Sequence, residues 1–374
     1  MKNKVPFNKP YHSGKELKYI KKAIEMSHIS GDGYFTGKCS GLLENALGVK
    51  KVLLTTSCSD ALEMAAILLD IKEGDEVILP SYTFVSTANA FVLRGAKPIF
   101  ADIREDTLNI DENLIETLIT SKTKAIIVVH YAGVSCEMDK IMDISKSFDI
   151  PIIEDNAHGL FAKYKGKYLG TFGDMATQSF HETKNFSCGE GGAIILNKEK
   201  YIGRAEILRE KGTDRSMFFR GEIDKYSWVD IGSSYLPSDI LAAFLYAQLE
   251  KRFDIQDKRK KIWDYYFENL KEWALERNFI LPKIPKGCEQ SFHMFYLILP
   301  SNKIRESLIV FLKQKNIYPA FHYIPLHLSK MGNIYNYKEG DLPITEKISN
   351  RLLRLPFFNS LNMDDIDFNI FYEF

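Results

Sequence analysis

The chain is poor in cysteine, and its cysteines are unpaired in pattern: Cys39, Cys58, Cys136, Cys188 and Cys288 are odd in number, with no C-x-x-C among them. That argues against a disulfide framework and against a zinc site, so reduced thiols and no bound metal are expected. No window approaches the roughly 18 apolar residues that a membrane span needs. The opening MKNKVPFNKPYHSG lacks the apolar core of a signal peptide. A cytoplasmic protein without membrane association is the expectation. Neither sign of charge is in excess, with Lys plus Arg and Asp plus Glu at 49 each. The chain as a whole is therefore not drawn to nucleic acid. Internal repeats and low-complexity segments are also lacking.

What is present is an alternation of short apolar runs and helical patterns over 374 residues, a length suited to about two domains. KVLLTT, EVILP, residues 97–102, KAIIVVH, IPII, Met175 to Phe180 and AIILN read as strands. Helices are expected over 13–27, with Leu17, Ile20 and Ile24 on one face and Ser13 as cap, from Ser57 onward, and over 113–119. ISGDGYFTGKCSG, with four glycines, reads as a loop. From Pro237 and Ser238 a helix runs on, and its pattern resumes at Trp263, Tyr266 and Leu270, so one long or broken helix crosses a boundary near residue 250. The expectation is an α/β protein with a mostly parallel sheet sandwiched by helices in a large domain, 1–250, and a smaller C-terminal α/β domain, 251–374.

Chemistry-bearing residues gather where strands end. Asp155 follows IPII at the edge where open α/β sheets bind ligands; it reads as a carboxylate waiting for a cationic ring nitrogen or as a helix cap. Ser57, Cys58, Ser59 and Asp60 open a helix, which reads as a phosphate seat or a plain capping box. Tyr82 and Phe84 follow EVILP, placed to fill core or to stack on a flat ring. Lys184, in SFHETKN ahead of a Gly-rich turn, lies 29 residues beyond Asp155. A lysine whose pKa is lowered by burial or a neighbouring cation is a Schiff-base nucleophile, and Lys184 is read as the amine that holds pyridoxal 5'-phosphate (PLP). The long segment 211–230 mixes Lys211, Arg215, Arg220 and Lys225 with Phe218, Phe219, Tyr226 and Trp228; it reads as a nucleotide-binding loop or as a solvated or subunit-bridging one. His322 and His327 flank Pro325 in an extended run, and His327 is expected to touch substrate rather than a metal.

Taken together, SYTFVSTANAFVLRGAK, VVHYAGVSCEMD, SFHETKN, EKGTDRSMFFRG, DIGSSY and HYIPLH resemble the sugar aminotransferases of the DegT/DnrJ/EryC1/StrS family, of the fold type I PLP enzymes, over essentially the whole chain. The resemblance implies that Lys184 carries PLP, that Asp155 pairs with the pyridine nitrogen, and that Phe84 stacks on the ring. It places Cys58, Ser59 and Ser179 at the phosphate and His158 near the 3-hydroxyl. Ser234 stands where many relatives have an asparagine that reaches the phosphate of the other subunit, and a serine is shorter. The resemblance further implies a homodimer with shared active sites, and transfer of an amine from L-glutamate to C4 of dTDP-4-keto-6-deoxyglucose.

Overall fold

The computed structural model describes residues 4–374; the first three residues of the MKNKVPFNKPYHSG opening lie outside the described residues. Seven short strands form the main sheet: β1 (Lys51–Thr55), β2 (Glu76–Pro80), β3 (Lys97–Ala101), β4 (Thr123–Val129), β5 (Ile152–Asp155), β6 (Met175–Ser179) and β7 (Gly192–Leu196). Their order is β1-β7-β6-β5-β4-β2-β3, and β7 alone runs against its neighbours. Side chains alternate between the faces along each strand, and both faces are apolar, as a sheet covered on both sides requires. After the helices α1 (Glu16–Glu25) and α2 (Tyr34–Leu47), α3 (Cys58–Leu68) and α4 (Val85–Val92) cover one side of the sheet, where Leu53, Val77, Leu79, Ala125, Ile127, Ile153 and Met175 pack against them. Their strand neighbours Ile78, Ile126, Val128 and Ile152 pack on the other side against the segments around Ile115 and Ile141.

A second apolar cluster lies beyond residue 250. The helices Asp239–Glu250 and Arg252–Glu276 abut at Lys251, so the expected long helix is a broken one. The second of them places Trp263, Tyr266, Leu270 and Trp273 against Phe295, Leu297 and Leu353. Here β8 (Tyr296–Ile298) and β9 (Leu352–Arg354) pair antiparallel. Among the described residues no helix is long and apolar enough to cross a membrane.

Two local expectations are corrected. Ser13 does not cap the first helix, Glu16–Glu25; instead the carboxylate of Glu16 accepts the amides of Ser13 and Gly14 at 2.5 and 2.9 Å. Leu17 and Ile24 of its apolar stripe are exposed. The glycine-rich stretch is a loop only to Gly33, because Tyr34–Leu47 is helical. Its N-terminus is capped from afar: Asp239 accepts the amides of Phe35 and Thr36 at 3.1 and 2.7 Å. A Cβ on Gly33 would stand 2.4 Å from the Asp239 carboxyl carbon, so glycine there admits the remote cap.

Candidate active site

The carboxyl ends of β1, β2, β5 and β6 surround a cavity of about 530 Å³ that also meets the segments around His293, His322 and Arg354. At its floor, Ser57 caps α3 by accepting the amide of Asp60 at 3.1 Å. That hydrogen bond is the cap expected of Ser57. The cap occupies the serine hydroxyl, and the amides of Cys58 and Ser59, which have no acceptor within the helix, remain at the cavity with the positive end of the helix dipole. Strand β7 passes directly beneath. A Cβ on Gly192 would come within 2.3 Å of the Ser57 carbonyl and 2.4 Å of the Cys58 nitrogen. Ser179, ending β6, lines the same floor.

Strand alternation separates two neighbouring acids. Glu154 faces away from the cavity, where its carboxylate accepts the amides of Gly170, Phe172 and Gly173 at 2.7, 2.7 and 2.8 Å and meets His130 at 2.9 Å. Asp155 faces the cavity. It accepts from the Thr87 hydroxyl at 2.8 Å and from the amide of Ala157 at 3.2 Å, a turn contact and not a helix cap. Burial raises its pKa, against the pull of Thr87, Ala157 and the Lys184 charge. Lys184 sits in the loop between β6 and β7, which closes through Phe180 N to Gly191 O at 2.7 Å and Lys184 N to His181 O at 2.9 Å. Burial lowers its pKa from 10.5 to about 8, opposed by Cys58 and Asp155 and reinforced by Arg354.

His158 lies flat on His293, with centroids 4.2 Å apart and planes 16° off parallel. Burial drives the pKa of both rings well below normal, so both are neutral. His158 Nδ1 is buried without a partner. Phe84 precedes the first turn of α4 and stands 56 % exposed at the cavity wall.

These residues fit PLP. A helix start suits the phosphate, Asp155 the ring nitrogen and Phe84 a ring face; the unpartnered His158 nitrogen suits a ring hydroxyl, and Lys184 is an amine that is partly neutral near pH 7.

Other expected site residues are placed elsewhere. His327 is not in the cavity: it is fully buried, with Nδ1 at 2.7 Å from Ser81 Oγ and Nε2 at 3.0 Å from Glu346, so neither nitrogen is left for a substrate. Arg215 and Arg220 line a separate cavity of about 440 Å³ and are ion-paired with Glu210 and Glu206 at 3.1 and 2.8 Å. Lys225, Tyr226 and Ser234 are exposed and outside the Lys184 cavity of their own chain. Conversely, Thr87, His293, His322, Tyr323 and Arg354 line the cavity without having been singled out as site residues. His322 shared the segment with His327, and nothing local told the two apart.

Fold and site together define a PLP-dependent aminotransferase. The model of the DegT/DnrJ/EryC1/StrS aminotransferase family matches residues 10–370, and the chain belongs to that family. It is 38% identical over 341 residues to an uncharacterised protein of Methanocaldococcus jannaschii, covering 88% of this chain and 87% of that one. It is 32% identical over 369 residues to the GDP-perosamine synthase of Escherichia coli O157:H7, covering 97% and 95%. The PLP form of a putative sugar aminotransferase of Streptococcus pneumoniae superposes with a TM-score of 0.89 at 26% identity, over 98% of this chain and 97% of that one.

Proposed function

We propose that the enzyme moves the amino group of L-glutamate to C4 of dTDP-4-keto-6-deoxy-D-glucose, giving dTDP-4-amino-4,6-dideoxy-D-galactose and 2-oxoglutarate. The observation that carries the transaminase chemistry is one cavity holding both Lys184, with its lowered pKa, and the buried Asp155. The particular sugar is supported by the six segments quoted above, which resemble dTDP-4-amino-4,6-dideoxygalactose transaminase, an enzyme whose product serves enterobacterial common antigen. A GDP-linked 4-keto sugar is the second reading, favoured by the relative named for GDP-perosamine.

Bound PLP supplies the electron sink that accepts the charge left when a proton departs from the donor's Cα. The chain's residues do the rest. The Cys58 and Ser59 amides with Ser179 would hold the phosphate, and Phe84 would cover one ring face. Asp155 would keep the ring nitrogen protonated through a charge-assisted hydrogen bond, and Thr87 and Ala157 fix that carboxylate's direction. Lys184, neutral in part at physiological pH, would take the proton from the donor's Cα and hand it to the cofactor's aldehyde carbon, across the nitrogen that joins them, acting as base and then acid. In the second half Lys184 would carry a proton the opposite way, delivering it to C4 of the sugar. A homodimer with shared sites is the arrangement under which Ser234 and the exposed Arg215, Arg220, Lys225 and Tyr226 would serve a neighbour's cavity.

The test is incubation with glutamate, PLP and either the dTDP- or the GDP-linked 4-keto-6-deoxy sugar, followed by NMR of the product's ring couplings. An axial C4 amine on the dTDP sugar is expected, and Lys184→Ala should abolish its formation. An equatorial C4 amine, a C3 amine, or turnover of the GDP sugar alone would overturn the assignment.

A further inference from the structure

Arg354 is a cavity-lining cation without a counter-charge. Two other arginines, Arg209 and Arg259, have their terminal nitrogens held by protein groups, although Arg209 Nε is also buried without a partner. Arg209 grips Asp32 through both carboxylate oxygens at 2.7 Å. Arg259, buried without an acid, donates to the carbonyls of Phe292 and His293 and to Asn359. Arg354, at the end of β9, makes one side-chain hydrogen bond, from Nη2 to the Phe321 carbonyl at 3.2 Å. Its Nε is buried without a partner, and among the described residues no carboxylate lies within ion-pair distance. The guanidinium is held in place, 4.6 Å over the Phe7 ring, and its backbone is pinned to Ala320 by bonds of 2.7 and 3.0 Å. Its electrostatic neighbours are the phenols of Tyr82, Tyr131 and Tyr323, together with the neutral His322.

A desolvated guanidinium with an open fork is completed by a planar anion. The cofactor phosphate would be held by the α3 amides and Ser179, as proposed above. Arg354 lines the same cavity as Lys184, whose charge it disfavours. An amino acid carries its α-carboxylate on the carbon that bears the amine. A nucleotide sugar carries its diphosphate at the anomeric carbon, across the ring from C4. The anion that arrives beside Lys184 is therefore a carboxylate.

We propose that Arg354 binds the α-carboxylate of the amino-acid donor and so aligns its Cα with Lys184; this deepens the aminotransferase reading above and rests on it. Calorimetric titration of the full-length, PLP-loaded enzyme with glutarate, a dicarboxylate with no amine to transfer, reads the binding directly. Arg354→Gln should weaken glutarate and raise the KM for glutamate on the order of 10- to 100-fold, with a smaller change in kcat. Arg354→Lys should recover part of the loss. Affinity for dTDP and the PLP absorbance should be unchanged, which also reports that the variants are folded. Glutarate bound by both variants as tightly as by wild type would overturn the proposal. So would a loss of dTDP affinity in place of glutarate affinity, which would assign the residue to the nucleotide's phosphates. A wild-type enzyme that binds glutarate through Arg354 but does not aminate the keto sugar would sink the substrate reading and leave this one standing.

Discussion

Replacing Lys184 by methionine should make the cofactor-free protein more stable, by an amount that depends on pH. Burial holds the amine at about 8 against an ordinary 10.5. At ~1.4 kcal/mol per pH unit, that difference corresponds to about 3 kcal/mol of penalty on the charged form in the folded state. The folded pKa lies below the unfolded one, so between pH 8 and 10.5 the unfolded chain binds more protons, and wild-type stability from this group rises with pH across that window. Below pH 8 the penalty is complete; above 10.5 it is gone. Methionine is of similar length, apolar and adaptable, and removes it. Part of the gain is offset because Asp155, already raised by burial, loses the favourable charge of Lys184. A net stabilisation of about 1–2 kcal/mol is expected at pH 7, shrinking by pH 9.5. Urea unfolding of the cofactor-free proteins at both pH values measures it. A variant no more stable than wild type at pH 7, or a difference that fails to shrink at pH 9.5, would refute the view that Lys184 is a desolvated cation poised to lose its proton.

Asp155→Asn removes the negative charge while keeping the side chain's size. Single-turnover absorbance with glutamate should slow on the order of 100-fold, about 3 kcal/mol in barrier, and an unchanged rate would mean that the ring nitrogen finds another partner. Gly192→Ala sets a methyl group against the Ser57 carbonyl and the Cys58 amide, backbone atoms that cannot swing aside. It should lower stability by roughly 1–3 kcal/mol and weaken PLP binding, read by fluorescence titration; wild-type values for both would show that β7 and α3 are free to part.

Much of this arrangement was legible in the residues. The strands and the helix at Ser57 followed from period and capping chemistry, which act over a few neighbours. Asp155 and Lys184 stood out because they follow apolar runs at the ligand-binding edge of an α/β sheet. Less legible was the helix Tyr34–Leu47, since its glycines argue locally for a loop and the group that caps it, Asp239, is 203 residues from Thr36. The apolar stripe of the first helix was read correctly as a stripe, but its exposure was not readable, because a pattern shows which residues share a face and not what that face meets.

The sequence alone determined the alternation of strand and helix, the helix start that suits a phosphate, and the lysine and aspartate at strand ends, all features set by short-range sterics and hydrogen bonding. Tertiary structure decided which of two adjacent acids turns into the cavity and which of two nearby histidines lines it while the other is locked between Ser81 and Glu346. It also decided that Arg354, far along the chain, lines the same cavity as Lys184. Those outcomes depend on packing between segments that are not neighbours in the chain, 68 residues apart for Thr87 and Asp155 and 246 for Ser81 and His327, and no local periodicity carries that information.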